Sequence, residues 1–245
     1  MRSALRWLYG WKRTFTTPWK KRDPEAIAQE IDDPQNIRLV AGHVDFGLHR
    51  YLPGECRYFT MLRDPVERIL SQFHYISQGW PDSRVSEMSL KEYVTEGHHT
   101  YVHNDQVRRI SGVDPKQNPA RALNRARRHL QNRVEFGITE KFDESLIYLQ
   151  RQLNWIRQPY YVRLNTNSER KNRGTKKVRG KIEKQNELDR TLYSFADNLL
   201  RNRTNEIDLE YELNKFKFVR SIFQPIGLAA AIAKRKIDSL SNIIE

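Results

Sequence analysis

The chain has one cysteine, Cys56, among 245 residues. A lone thiol closes no internal disulfide, so a disulfide scaffold is excluded. With seven scattered histidines a thiolate-type structural zinc site is excluded too, and no metal site is expected. Glycine (11) and proline (10) are too scarce for a collagenous or low-complexity chain. No run approaches the roughly 18–20 apolar residues that span a bilayer. The nearest, Ile222 to Ala233, is broken by Gln224, Pro225 and Gly227 and followed by Lys234, Arg235 and Lys236. It reads as a terminal helix lying on the protein or on a membrane surface. Met1 to Arg13 is basic and aromatic but lacks the uninterrupted apolar core of a signal peptide. Acids are outnumbered, 30 against 43 Lys and Arg, leaving a net charge of +13. That surplus attracts nucleic acid, phosphorylated or sulfated ligands, or acidic membrane, without choosing among them. What is present, 38% hydrophobic residues with five Trp, eleven Tyr and ten Phe, suffices for a packed core and excludes wholesale disorder.

The apolar spacing alternates between helical and extended periods. Helices are expected at 4–12, 24–31, 89–96, 103–111, 118–131, 140–153 and 183–200, with a further one from Pro65 carrying Val66, Ile69, Leu70, Phe73 and Ile76 on one face. Strands are expected at 37–41, 57–62, 134–138 and 160–164. Strands separated by helices predict an α/β fold, a parallel sheet with flanking crossover helices. Residues 166–181 hold Arg170, Lys171, Arg173, Lys176, Lys177, Arg179 and Lys181 without apolar periodicity. They predict a basic loop, read either as a solvated surface or as an anion clamp. Residues 1–211 read as one domain and 212–245 as a C-terminal helical tail.

The strongest signal lies in 57–75. A strand runs straight into Arg63-Asp64-Pro65, and Ser71 follows two helical turns on. In open α/β sheets ligands bind beyond the carboxyl ends of strands. An arginine fork and a hydroxyl so placed can hold a phosphate. The plainer reading pairs Arg63 with a neighbouring acid such as Asp64 or Glu67.

The segment Gly42-His43-Val44-Asp45-Phe46-Gly47-Leu48-His49, then Tyr58-Phe59-Thr60-Met61-Leu62-Arg63-Asp64-Pro65-Val66-Glu67-Arg68, then Ser71, resembles the carbohydrate sulfotransferases. The nearest group by this reading contains heparan sulfate 2-O-sulfotransferase and its bacterial relatives. The resemblance continues through Asn104–Arg108, Gly137–Leu146 and Asn186–Tyr193, and covers roughly residues 37–200 in order. It implies an α/β fold related to the P-loop nucleotide kinases. It also implies 3′-phosphoadenosine 5′-phosphosulfate as donor and a glycan hydroxyl as acceptor, without metal. By the same resemblance Arg63 and Ser71 hold the donor's 3′-phosphate and His43 is the general base, the natural residue to take the proton of an attacking hydroxyl near neutral pH. Arg170, Lys171 and Lys177 are further donor-binding candidates, and Asn104, Gln106 and Arg108 are acceptor-side candidates. Where the compared family member has a second histidine, this chain has Ala41. His49, His74, His98, His99, His103 and His129 read as surface or helix-face residues.

One departure stands out. The family begins with a strand and a lysine-containing phosphate loop, and Thr14-Phe15-Thr16-Thr17-Pro18 does not supply it. Residues from Met1 read like the helix that follows such a loop. The first strand and loop are therefore expected to be missing, through a misassigned start or a lost 5′ end. The leading expectation is a donor-dependent sulfotransferase acting on a glycan. The alternatives are an inactive relic that only binds the adenosine bisphosphate moiety, and a basic nucleic-acid-binding protein prompted by 170–181 and Arg121, Arg125, Arg127 and Arg128. No nucleic-acid motif accompanies those charges, so no specific nucleic acid is expected. The location expected is cytoplasmic with peripheral membrane contact through residues 213–236, or the Golgi lumen if an N-terminal anchor was lost.

Overall fold

The computed structural model describes residues 5, 8–18, 21–79, 84–96, 102–156, 161, 174–205 and 207–222. Strand β1 (Thr14–Thr16) pairs in parallel with β2 (Leu39–Ala41), and β3 (Tyr58–Leu62) pairs in parallel with β4 (Val134–Ile138). The two pairs are separate sheets among the described residues, where the pattern predicted one sheet. Strand β1 was not foreseen, because three residues are too short a run to show alternation. The strand expected at 160–164 lies outside the described residues except Tyr161.

Helices follow the strands in chain order: α1 (Pro24–Ala28), α2 (Pro65–Gly79), α3 (Leu90–Glu96), α4 (Asp105–Ser111), α5 (Pro119–Asn132), α6 (Phe142–Gln152), α7 (Lys176–Gln185) and α8 (Glu187–Thr204). A further helix, α9, covers 209–222. Starts are set by capping: the side chains of Asp23, Asn118 and Thr175 accept from the amides of Ala26, Arg121 and Val178. Pro24, Pro65 and Pro119 sit at helix starts, where the missing N–H costs nothing.

The main core lies on β3 and β4. Helix α5 buries Ala122, Ala126 and Leu130, and α8 buries Leu192, Ala196 and Leu200, each at i, i+4, i+8. Alanines on both stripes let the two helices approach closely over Phe136 and Ile138. A second cluster joins Val66, Ile69, Leu70 and Phe73 of α2 with Leu90, Tyr93 and Val94 of α3 and Ile182 of α7. Ile182 corrects one expectation: from residue 176 the supposed basic loop is helix α7. Only Val178 and Ile182 mark its inner face, too few for a periodicity, and two of its bases bond to other elements. Arg179 Nη2 donates to Glu67 Oε1 at 3.0 Å and Lys181 Nζ to Thr95 Oγ1 at 3.1 Å. In α9, Phe216 is buried against Leu146 and Ile147, and Arg220 donates to both Asp143 oxygens. None of the described helices is long and apolar enough to cross a membrane.

Gly137 sets how closely α6 approaches β4. A Cβ there would lie 2.5 Å from Ser145 Cβ and 2.7 Å from Met61 Sδ. Ser145 Oγ accepts from the Ile138 amide at 2.8 Å and donates to its carbonyl at 3.1 Å. Gly137→Ala is expected to lower stability by about 1–3 kcal/mol through overpacking. An unchanged denaturant midpoint would show that the helix can back away freely.

Candidate active site

Two strand ends open into one cleft of about 1160 Å³. Its walls include Leu39–Ala41 of β2 and Tyr58–Leu62 of β3, and the residues just past both strands, Gly42, His43 and Arg63, line it. Arg68, Ser71, Gln106, Arg109 and Thr139 line it as well. The structure thus brings His43, Arg63, Ser71 and Gln106 together, four of the nine residues singled out in the sequence.

His43 is held by its backbone. Its amide donates to Thr17 Oγ1 at 3.2 Å, and the Thr17 amide donates to the Ala41 carbonyl at 3.1 Å. The preceding position must be glycine, because a Cβ on Gly42 would fall 1.8 Å from Thr17 Oγ1. Thr17 belongs to the segment weighed for the phosphate loop; here it supports the histidine instead.

Arg63 is placed by a strand-to-helix junction in which each residue has its own task. Asp64 Oδ1 accepts from the Glu67 amide at 3.0 Å and caps α2, and Pro65 begins the helix. Thr139 Oγ1 donates to the Leu62 carbonyl at 2.9 Å. Gln106 fastens the turn on both sides: its Oε1 accepts from the Arg63 amide and its Nε2 donates to the Arg63 carbonyl, both at 2.9 Å. The Arg63 side chain, 22% exposed, has Glu140 Oε1 3.9 Å from its Nε. The plainer reading of Arg63 as paired with an acid is met by Glu140, while Asp64 caps the helix and Glu67 pairs with Arg179.

Beside the cleft lies an arginine cluster of which the sequence singled out only Arg108. Asp105 is almost fully buried, and its carboxylate accepts from Arg22 Nη1 at 2.9 Å, Arg108 Nη2 at 3.0 Å and Arg109 Nε at 2.7 Å, with Arg68 Nη1 at 3.8 Å. Arg108 also reaches Asp45 Oδ2 at 3.7 Å, and Arg68 reaches Asp189 Oδ2 at 3.9 Å. Four arginines thus face Asp105, Asp45 and Asp189. Burial pushes the Asp45 carboxyl above its ordinary range, against the pull of Arg109 and Arg22. It pushes Asp189 up likewise, against Arg68 and two backbone amides.

The block Asn104–Arg108 serves largely to lock α4 to α8. Asn104, left-handed at φ 46°, accepts from the Leu188 and Asp189 amides at 3.1 Å each. Asp189 returns the bond by accepting from the Gln106 and Val107 amides at 3.2 and 2.8 Å. Each helix start is capped by a side chain of the other. Asn104 and Arg108 are not among the cleft-lining residues, and Lys177 lies on the exposed side of α7. Arg170 and Lys171 lie outside the described residues. Asn104→Ala removes two caps and is expected to cost about 1–2 kcal/mol of stability. A melting curve superimposable on wild type would refute the reciprocal cap.

His43, Arg63 and Ser71, the residues that the resemblance to the carbohydrate sulfotransferases singled out for base and donor binding, share one cleft. A family model described as galactose-3-O-sulfotransferase matches residues 10–212. The chain is similar to human galactose-3-O-sulfotransferase 2, 27% identical over 155 residues, covering 57% of this chain and 39% of that protein. It is also similar to mouse galactose-3-O-sulfotransferase 3, 30% identical over 144 residues, covering 52% of this chain and 33% of that protein. The matched stretch thus spans well under half of either relative's length. The chain belongs to the galactose-3-O-sulfotransferase family, within the carbohydrate sulfotransferases rather than the heparan sulfate group that the motifs first resembled.

Proposed function

We propose that this protein transfers a sulfuryl group from 3′-phosphoadenosine 5′-phosphosulfate to a hydroxyl of a galactose-containing glycan, on a fold of the P-loop nucleotide-kinase type. The observation that carries the reading is the joint position of His43, Arg63 and Ser71 in one cleft. The residues present fit the donor's 3′-phosphate: a strand-terminal guanidinium and a hydroxyl line a cleft that Arg68 and Arg109 line as well. The donor supplies an activated sulfuryl group and departs as adenosine 3′,5′-bisphosphate. Arg63 and Ser71 bind its phosphate, while Gln106 acts as a positioning residue through the Arg63 backbone. Arg68 and Arg109 line the cleft together with Asp105, and the four arginines of that cluster outnumber its three carboxylates, which favours the anionic nucleotide. His43 accepts the proton of the acceptor hydroxyl as that oxygen attacks sulfur.

The test is sulfate transfer from labelled donor to galactose-terminated oligosaccharides, with the sulfated position read by mass spectrometry. Label on galactose supports the reading. Nucleotide binding without transfer to any galactose-bearing acceptor would reduce the protein to a nucleotide binder.

A further inference from the structure

Helix α5 has a face that neither its core packing nor the proposed reaction uses. Arg121, Arg125 and Arg128 stand at i, i+4 and i+7, off the buried stripe of Ala122, Ala126 and Leu130. Arg50, which ends the short 3₁₀ turn Leu48–Arg50, and Arg133, which follows α5, close on the same area. Arg50, Arg121 and Arg128 all act on Arg125, whose guanidinium is shifted down first by burial and then by these three charges. Arg133 acts together with Arg125 and Arg128 on His129, and together with Arg50 on His49.

Among the described residues none of these five arginines takes part in an ion pair. Several arginines elsewhere are matched, Arg22, Arg108 and Arg109 by Asp105, Arg203 by Glu135 and Arg220 by Asp143, but Arg121, Arg125 and Arg128 are a helical stripe of one sign. Like charges at i, i+4 destabilise a helix, so an unmatched stripe has no folding rationale. The helix that carries the stripe is joined to the cleft wall through His129. Phe46 lines the cleft and stacks on His129 at 3.9 Å between ring centres. Ile110 lines it too, and its carbonyl lies 2.6 Å from His129 Nδ1. Leu48 lines it from the turn that ends in Arg50.

We propose that the Arg50–Arg121–Arg125–Arg128–Arg133 patch is an extended binding site for an acidic glycan, holding sulfate or carboxylate groups of a chain whose reacting sugar lies in the cleft. The inference rests on the reading of the cleft as a glycan-acceptor site. Guanidinium forks match the planar carboxylate and the sulfate oxygens. The link to the cleft wall through His129, Phe46 and Ile110, rather than charge alone, favours a glycan over a nucleic acid. The patch gives the enzyme an acceptor that already carries negative charge, its own sulfated product included.

The experiment compares binding of a sulfated galactan oligosaccharide and a neutral galactan of equal length, at fixed salt. It uses wild type, Arg121→Gln/Arg125→Gln/Arg128→Gln, and Lys184→Gln/Lys215→Gln/Lys217→Gln, which removes equal charge from other helices. A double variant limited to the exposed Arg121 and Arg128 guards against misfolding, with circular dichroism as control. The expected result is sulfated galactan binding weakened about 10–100-fold by the arginine changes and less than about twofold by the lysine changes. Neutral galactan is expected to bind at least about tenfold more weakly than the sulfated one. Equal loss in the lysine variant, or full binding by the folded arginine variants, overturns the patch. Tighter binding of oligothymidylate with the same number of charges overturns the choice of glycan. Adenosine 3′,5′-bisphosphate binding is measured alongside. Its failure in wild type counts against the sulfotransferase reading alone, because the galactan comparison reads the patch directly.

Discussion

Replacing His43 with alanine is expected to lower sulfuryl transfer by about 10²–10⁴-fold while leaving adenosine 3′,5′-bisphosphate affinity unchanged. The split follows from geometry. The histidine is fixed through its main chain, by the Thr17 hydroxyl and the close approach of Gly42, so alanine keeps the loop and removes only the imidazole. The phosphate-binding groups sit on a different strand-to-helix junction, secured by Gln106, Asp64 and Thr139. Steady-state rates with saturating donor, beside calorimetry of the nucleotide, read the two effects separately. Activity within about threefold of wild type would remove His43 from the reaction, since general base loss cannot be so mild. Equal loss of nucleotide affinity would instead make it part of the donor site.

The second large effect is on the fold. Asp105→Ala is expected to destabilise the protein by about 3–5 kcal/mol, because a buried ion pair broken on one side leaves charge without compensation. Arg22 and Asp105 have side-chain exposures of 9% and 5%, and their pair at 2.9 Å is joined by Arg108 and Arg109 on the same carboxylate. Arg108 keeps Asp45 and Arg68 keeps Asp189 when Asp105 is gone, but both contacts are longer, at 3.7 and 3.9 Å. Arg68 and Arg109 also line the cleft, so the same variant should weaken nucleotide binding. Denaturant unfolding of wild type and variant measures the loss. A change below about 1 kcal/mol would mean that water reaches Arg22 and the cluster is not truly buried.

The parts legible in the sequence are those whose meaning is local. The strand end at Arg63 and the helix start at Pro65 read correctly because they are consecutive in the chain, whereas Asp64, read as an acid beside Arg63, caps the helix. Helices α5 and α8 were expected because 14 and 18 residues allow the helical period to repeat, although the helix expected at 183–200 runs across the break at Asn186 that separates α7 from α8. Helix α7 was hidden by its charges, since Val178 and Ile182 alone face the core. Strand β1 was hidden by its length of three residues. Asn104, Gln106 and Arg108 were read toward the acceptor from the family resemblance, and of the three only Gln106 lines the cleft. The partners of that block, Asn186, Leu188 and Asp189, are 82 to 85 positions away, a pairing that only the fold reveals. The Asp105 cluster escaped for the same reason, with Arg22 separated from it by 83 positions.

Calorimetric titration of adenosine 3′,5′-bisphosphate into wild type and Arg63→Ala tests the central claim most directly. The account predicts saturable one-site binding to wild type. It predicts a loss of about 1.5–3 kcal/mol in the variant, the range for a hydrogen bond to a charged group. No binding to folded wild type, or equal binding to Arg63→Ala, would contradict a donor site at the end of β3.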